Sequence, residues 1–254
     1  MTMRTVVLLG AALALAACAT AAPPPVVKVE PAEGKVAGYL AAGAIDGKRA
    51  LGPPPAPDSI RGRADQATYE DQRKLDGTAR WKTAQADNDL WNGGALKRYA
   101  CAINHQIDAE STPVTTNMLH RVEVDVRTIG TPPKDFFARR RPALGNDKPV
   151  CVPREPWMET NASYPSGHSM TGWAWALVLS ELAPDKVGEL LEAGREMGTS
   201  RVICGVHYES DVEAGRTLGA GMVARLHAEP QFVADMVAAK RELAAAPPAK
   251  GCPY

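Results

Sequence analysis

The chain has 254 residues, 45% of them hydrophobic, and its 29 basic and 29 acidic residues leave a formal net charge of zero. That length and apolar content suffice for one large domain or two small ones with a true hydrophobic core. The balanced charge provides no electrostatic footprint for duplex nucleic acid or an anionic membrane surface, so we expect small-molecule partners.

The first residues are typical of a secretory signal. Arg4 precedes the apolar run Thr5–Ala17, which is too short to span a bilayer. The sequence "LAAC", ending at Cys18, resembles the bacterial lipobox, in which the cysteine is acylated and becomes the mature N-terminus. We therefore expect a signal peptide over 1–18, with cleavage near residue 22 as the alternative. The mature protein would be periplasmic, and a lipid on Cys18 would be its one attachment to the outer membrane.

The remainder is predicted to be mostly helical, with no internal repeat and no second domain boundary. Residues 19–50 are rich in Ala, Pro and Val without a sustained period, which predicts a tether. Residues 51–245 form the predicted domain, and 246–254 form a C-terminal tail. Hydrophobic periodicity predicts an all-α fold, in which the stretch "VEVDV" is assigned to a helix because its helical stripe is longer than its strand-like alternation. The predicted helices are Ala64–Leu75, Ala79–Leu90, Ala95–Ile107, Pro113–Ile129, Lys134–Arg141, Ser166–Ala183, Pro184–Met197 or beyond, Ser210–Leu226 and Gln231–Ala245.

Two cations stand out in the sequence "KDFFARRRP". Lys134 and Arg141 are seven residues apart, a spacing that places both side chains on one face of a helix. The alternative interpretation is a solvated basic surface, which is the usual role of a run of charges.

A histidine stands at the start of the apolar run that follows Pro165. A helix that begins at Ser166 places Gly167 and His168 in its first turn. The unpaired N–H groups of a first turn and the positive end of the helix dipole favour a bound anion. The buried stripe of this helix is predicted to be Met170, Trp173, Ala174, Leu177 and Val178.

A third cluster lies in "SRVICGVHYESD". Arg201 continues the core-facing stripe of the helix before it, and a cation in that position needs an anionic partner. His207 and Asp211 are four residues apart, so on a helix the carboxylate would accept from one imidazole nitrogen and leave the other free. The alternative is a histidine that is simply satisfied by a neighbouring acid.

The three clusters read, in order, Lys-x6-Arg-Pro, Pro-Ser-Gly-His and Ser-Arg-x5-His-x3-Asp. With these motifs and the stretches "LGPPPAPDS", "DQATYE" and "SYPSGHSMTGWAWALVLSEL", the chain resembles the bacterial class A non-specific acid phosphatases. These belong to the type 2 phosphatidic acid phosphatase superfamily, and the resemblance runs from about Leu51 to Ala245. It implies a single-domain, all-α helical bundle of the kind shared with vanadium haloperoxidases, and a metal-independent phosphohydrolase.

The resemblance also implies roles for the motif residues. His207 is expected to attack phosphorus and form a phosphohistidine, with Asp211 orienting it and His168 acting as general acid and base. Substrates would be a broad range of small phosphomonoesters, with inorganic phosphate as a product and no cofactor. The expected phosphate-binding residues are Lys134, Arg141, Ser166, Gly167, His168 and Arg201.

The same residues suggest other functions as well. His168, His207 and Asp211 resemble a two-histidine, one-carboxylate metal site, but the three neighbouring cations would repel a divalent ion. A vanadate-dependent haloperoxidase and a lipoprotein that binds phosphate without turnover are the rival functions. The sequence is also compatible with a homo-oligomer.

Four cysteines remain after Cys18, an even number suited to two disulfides in an oxidising compartment, with three connectivities open. The alternative is four buried free thiols. The resembled family commonly has cysteines that match Cys151 and Cys204, whereas Cys101 and Cys252 are additions. The resemblance therefore favours a Cys101–Cys252 bridge that holds the C-terminal tail.

Overall fold

The computed structural model describes residues 36–252. Within that range the chain forms ten α-helices, two 3₁₀ turns and no strand, which confirms the all-α prediction. The predicted signal peptide and residues 19–35 of the predicted tether lie outside the described residues. The helices are α1 (Gly47–Leu51), α2 (Ile60–Gln72), α3 (Ala79–Ala86), α4 (Ala95–Ile103), α5 (Pro113–Phe137), α6 (Trp157–Thr160), α7 (Gly167–Leu182), α8 (Val187–Ile203), α9 (Glu209–Leu226) and α10 (Pro230–Ala245).

Helix α7 is the centre of the bundle. It packs against α8, α9 and α5, and the indole N–H of Trp175 donates to the carbonyl of Leu119 on α5 over 3.1 Å. Because neighbours surround α7, the prediction of a single buried stripe is wrong in detail. Trp175 is fully buried, whereas the predicted Trp173 and Leu177 are only partly buried.

Small residues let the flanking helices approach α7 closely. A β-carbon on Gly215 of α9 would lie 2.5 Å from the carbonyl oxygen of Ser166, so only glycine permits this contact. At the same point the backbone N–H of Ser166 donates to the carbonyl of Asp211 over 2.9 Å. The start of α7 is thereby fixed against the start of α9.

The segment that carries Lys134 and Arg141 differs from the prediction. Lys134 lies in the last turn of α5, which continues through Pro132 and Pro133 to Phe137. The helix ends at Ala138, which has the left-handed φ of 46°. Arg141 therefore lies in an irregular segment beyond the helix, and the predicted helix over Lys134–Arg141 is wrong.

His207 and Asp211 also differ from the predicted arrangement. Helix α9 begins at Glu209, so His207 precedes the helix while Asp211 lies in its first turn. Asp211 accepts a hydrogen bond from the backbone N–H of Tyr208, the residue that precedes the helix, over 2.8 Å. The two side chains approach each other across a helix start instead of along one helical face.

Residues 36–50, the end of the predicted tether, pack against this helical body. The backbone N–H groups of Tyr39 and Leu40 donate to the Asp125 carboxylate on α5 over 3.0 and 2.9 Å. The ring of Tyr39 packs edge-on against Phe232 on α10, with the centroids 5.3 Å apart.

Two disulfides join distant parts of the chain. Cys101 of α4 is bonded to Cys252, with a Cα–Cα distance of 5.6 Å, which confirms the predicted bridge to the C-terminal tail. Cys151 is bonded to Cys204, just after α8, with a Cα–Cα distance of 4.6 Å. The second bridge ties the loop after Arg141 to the end of the helix that carries Arg201.

Candidate active site

A cavity of about 410 Å³ opens at the N-terminal end of α7. Ser166 and Asp211 are fully buried and are not among its lining residues in the described chain. The hydroxyl of Ser166 instead accepts from the Ser169 N–H over 3.4 Å and caps α7. The other six predicted site residues line the cavity: Lys134, Arg141, Gly167, His168, Arg201 and His207.

The three cations reach the cavity from three different elements. Lys134 comes from the last turn of α5, Arg141 from the segment after it, and Arg201 from the last turn of α8. All three are at least nine-tenths buried, yet none forms an ion pair with a carboxylate of residues 36–252. Because a buried charge is costly when unpaired, the cavity favours an anion that contacts all three.

Burial and mutual repulsion perturb these groups strongly. Burial, followed by the Arg141 guanidinium, lowers the pKa of Lys134 to about 7. Burial lowers the pKa of Arg141 to about 10, and burial together with Arg141 lowers that of Arg201 to about 9. A polyanion placed between these groups would relieve the repulsion and raise each pKa.

Arg201 has a fully buried donor without a partner. Its Nη1 donates to the side-chain oxygen of Asn88 over 2.9 Å, but its buried Nε has no hydrogen-bond partner among the described residues. Buried donors are rarely left unpaired, so this N–H adds to the unsatisfied positive charge that Arg201 brings to the cavity.

Both ring nitrogens of His207 have a hydrogen-bond partner. Arg141 Nη1 lies 3.1 Å from Nε2, and the Ser163 hydroxyl lies 3.2 Å from Nδ1. A guanidinium can only donate, so Nε2 is the acceptor and the proton is on Nδ1. Burial, followed by the charge of Arg141, lowers the pKa of His207 well below its ordinary value. The imidazole is therefore neutral, with a lone pair on Nε2.

His168 has a different environment in the first turn of α7. Its Nε2 lies 3.0 Å from the backbone carbonyl of Asn88 and donates to it. Burial, followed by the charge of Arg201, lowers its pKa to about 3. A bound phosphoryl dianion beside the ring would oppose this lowering and favour the protonated form.

The Asp211 carboxylate is held by groups that the motif does not contain. Arg139 Nη1 donates to its Oδ1 over 2.6 Å, and the hydroxyl of Ser163 donates to its Oδ2 over 2.5 Å. Arg139 also donates to Asp65 of α2 over 2.8 Å. Sequence reasoning missed Ser163, Asn88 and Arg139; for Arg139, the only signal was its place in a run of three arginines.

The end of the cavity away from the three cations is more apolar. Leu90 and Val126 line it, together with the paired side chains of Glu123 and Arg127. Glu123 also accepts from the indole N–H of Trp91 over 2.9 Å. A group bound at this end meets no unpaired cation of the described chain.

Known proteins resemble this chain over most of its length. Residues 117–232 match the PAP2 superfamily. The acid phosphatase of Zymomonas mobilis subsp. mobilis is 38% identical over 195 residues, which cover 76% of this chain and 74% of the relative. The non-specific acid phosphatase of Providencia stuartii is 39% identical over 203 residues, which cover 79% of this chain and 82% of the relative. The non-specific acid phosphatase of Salmonella typhimurium is 37% identical over 199 residues, which cover 76% of this chain and 78% of the relative.

The chain belongs to the PAP2 superfamily. Within it, the chain is related to the bacterial acid phosphatases and is a phosphoric monoester hydrolase, as the resemblance implied. A solved PAP2-type phosphatidylglycerolphosphate phosphatase from Bacillus subtilis also matches, at 19% identity and a TM-score of 0.35, over 68% of this chain and 98% of that chain. That similarity is too low to bear on function.

Two further observations concern the described part of this PAP2 protein. Between residues 36 and 252, no helix combines the length and the hydropathy that crossing a bilayer requires. In the same range, no three His, Cys, Asp or Glu side chains are grouped so that they could hold a metal ion.

Proposed function

We propose that this phosphatase is a metal-independent acid phosphatase that hydrolyses a broad range of phosphomonoesters through a phosphohistidine at His207. One observation carries the proposal: three buried cations without carboxylate partners face the same cavity as an imidazole whose Nε2 bears a lone pair. A phosphoryl group in transfer spreads negative charge over three oxygens, and this set of donors matches that charge.

In the first step, the Nε2 lone pair of His207 forms a bond to phosphorus. The bond between phosphorus and the ester oxygen breaks, and its electron pair stays on the leaving oxygen, which takes a proton from His168. Lys134, Arg141 and Arg201 stabilise the equatorial oxygens, with the N–H groups at the start of α7 as further donors.

In the second step, a water molecule attacks the phosphorus of the phosphohistidine. The now neutral His168 takes a proton from that water, and the N–P bond breaks with its electron pair returning to Nε2. Inorganic phosphate then leaves, and both histidines return to their starting protonation states.

The breadth of the substrate range follows from where the charges lie. All three unpaired cations address the phosphoryl end, whereas the far end of the cavity offers apolar side chains and the neutralised Glu123–Arg127 pair. Such a site recognises the phosphate and tolerates varied leaving groups.

We also propose that the protein is exported and lipid-anchored at Cys18. The support is the charged residue, apolar run and "LAAC" sequence at the N-terminus. Mass spectrometry of the mature N-terminus tests this: a diacylglyceryl Cys18 is expected, and an unmodified N-terminus near residue 22 would contradict the anchor.

Hydrolysis of p-nitrophenyl phosphate in excess chelator tests the catalytic proposal. The parent is expected to retain its activity, and His207→Ala to lose it. His227→Ala is the matched control, because that histidine is exposed and pairs with Glu181 on the surface. Loss of the parent's activity in chelator would contradict metal independence. Phosphate binding without turnover at any pH, or halide oxidation with added vanadate in place of hydrolysis, would favour the rival functions.

A further inference from the structure

We propose that Ser163 is a positioning residue that connects Asp211 to His207. The inference rests on the proposed function, in which His207 is the nucleophile. The simple expectation from the sequence is a direct contact between the Asp211 carboxylate and the imidazole. The structure instead places a serine hydroxyl between them.

The distances favour the serine route. His207 Nδ1 lies 3.5 Å from Asp211 Oδ2, which is long for a hydrogen bond between an imidazole and a carboxylate. Ser163 Oγ lies 3.2 Å from the same Nδ1 and 2.5 Å from the same Oδ2. The hydroxyl therefore makes a better contact with each partner than they make with each other.

The hydrogen atoms can be assigned in only one consistent order. Arg141 donates to Nε2, so the ring proton is on Nδ1 and donates to Ser163 Oγ. The hydroxyl proton of Ser163 then donates to Asp211 Oδ2, since the ionised carboxylate can only accept. This order fixes the tautomer of His207 whose lone pair is on Nε2.

Arg139 holds two members of this chain of hydrogen bonds, Ser163 and Asp211. Its backbone carbonyl accepts from the N–H of Ser163 over 2.7 Å, and its guanidinium donates to Asp211 Oδ1 over 2.6 Å. Ser163 and Asp211 are both fully buried, so water does not compete for the hydroxyl. The serine is thus fixed at the correct distance from the ring and from the carboxylate.

This arrangement acts on the reaction through His207. When Nε2 bonds to phosphorus, the ring becomes cationic and its Nδ1–H becomes a stronger donor. The Ser163 hydroxyl, polarised by Asp211, stabilises that charge without accepting the proton. Asp211 therefore contributes through Ser163.

Ser163→Ala, Asp211→Asn and the double variant test the inference, with kcat and inhibition by inorganic phosphate as readouts. We expect Ser163→Ala to lower kcat by about 10²-fold, the effect of misplacing a reacting group by ~1 Å, with little change in the phosphate inhibition constant. The double variant should be no slower than Asp211→Asn, because both changes break the same connection. Ser163→Cys, which keeps a similar volume and weakens both hydrogen bonds, should lie between the parent and Ser163→Ala.

Thr115→Val is the matched control for removing a buried hydroxyl. Thr115 lies at the start of α5, about 28 Å from Lys134 along that helix. Its side chain is fully buried and donates a hydrogen bond to Glu242 of α10. Thr115→Val should lower the free energy of unfolding without changing kcat. A ¹⁵N NMR spectrum gives a readout independent of activity: the parent should show an unprotonated Nε2 on His207, and Ser163→Ala a mixture of tautomers.

Two outcomes would overturn the inference: wild-type kcat in folded Ser163→Ala, or losses that multiply in the double variant. Failure of the proposed function is distinguishable, because in that case His207→Ala itself retains turnover.

Discussion

Arg141 and His207 are joined by a hydrogen bond of 3.1 Å between Nη1 and Nε2. The guanidinium also donates to the backbone carbonyl of Val206 over 3.0 Å and to both oxygens of Asn161 over 2.7 and 2.8 Å. One side chain therefore keeps the imidazole neutral, fixes its lone pair on Nε2 and brings positive charge to the cavity. The proposed nucleophile and one of the proposed phosphate-binding cations are therefore fixed as a unit.

The guanidinium of Arg201 leads to a prediction about whether charge alone is sufficient at this position. Arg201→Lys keeps the positive charge but loses the fork, so kcat/KM should fall about 10²-fold, the usual cost of removing one transition-state donor. Arg195→Lys on the exposed side of the same helix is the control and should match the parent. Equal kcat/KM in both variants would show that the guanidinium fork of Arg201 does not contribute to transition-state binding.

The pKa of Lys134 predicts how activity falls on the alkaline side. Lys134 loses its charge as pH rises through about 7 in the unliganded protein, so kcat/KM for an aryl phosphate dianion should fall more steeply above that pH. In Lys134→Arg the guanidinium stays charged, and the fall should move to higher pH. The exposed Lys48→Arg is the control. An unchanged alkaline limb in Lys134→Arg would assign that limb to another group.

The pKa of His168 predicts a loss of stability in acid. Its folded pKa of about 3 lies below the ordinary value of 6.5, so the unfolded chain binds more protons between these values. The free energy of unfolding should therefore decrease as pH falls from about 6.5 towards 3. In His168→Gln this decrease should be smaller, as measured by urea unfolding at several pH values. Inorganic phosphate should oppose it in the parent. Identical pH dependence in the two proteins would contradict the perturbed pKa.

The two disulfides should affect different properties. Replacing Cys101 and Cys252 together by serine should lower the free energy of unfolding by about 2–4 kcal/mol, because the bridge constrains the unfolded chain. Activity should persist, since that bridge holds only the tail against α4. Replacing Cys151 and Cys204 should lower kcat, because this bridge ties the Arg141 loop to the end of α8. Reduced kcat in the first variant alone would contradict this division.

The sequence predicts the identity of the candidate site residues better than their arrangement in space. Lys134 and Arg141 were predicted to share a helical face, but they meet because α5 ends at Ala138 and the chain turns. The left-handed conformation of Ala138 has no signal in the sequence, since such positions usually carry glycine or asparagine. The motif identified the cations, and tertiary packing determined their geometry.

The site residues that the sequence did not predict act mainly through atoms that no sequence motif identifies. Asn88 contributes its backbone carbonyl to His168, and Ser163 contributes a hydroxyl whose importance depends on two partners distant in sequence. Helix α7 illustrates the same limit for the core. Periodicity assumes one solvent-facing side, and a helix surrounded by others buries residues such as Trp175 outside the expected stripe.

The most direct measurement is rapid quenching of the enzyme in alkali during turnover of a radiolabelled phosphomonoester, followed by peptide mapping. The account predicts label on Nε2 of His207, present in the parent and in His227→Ala and absent in His207→Ala. Label on another residue, or a parent that turns over at full rate without ever carrying label, would contradict it.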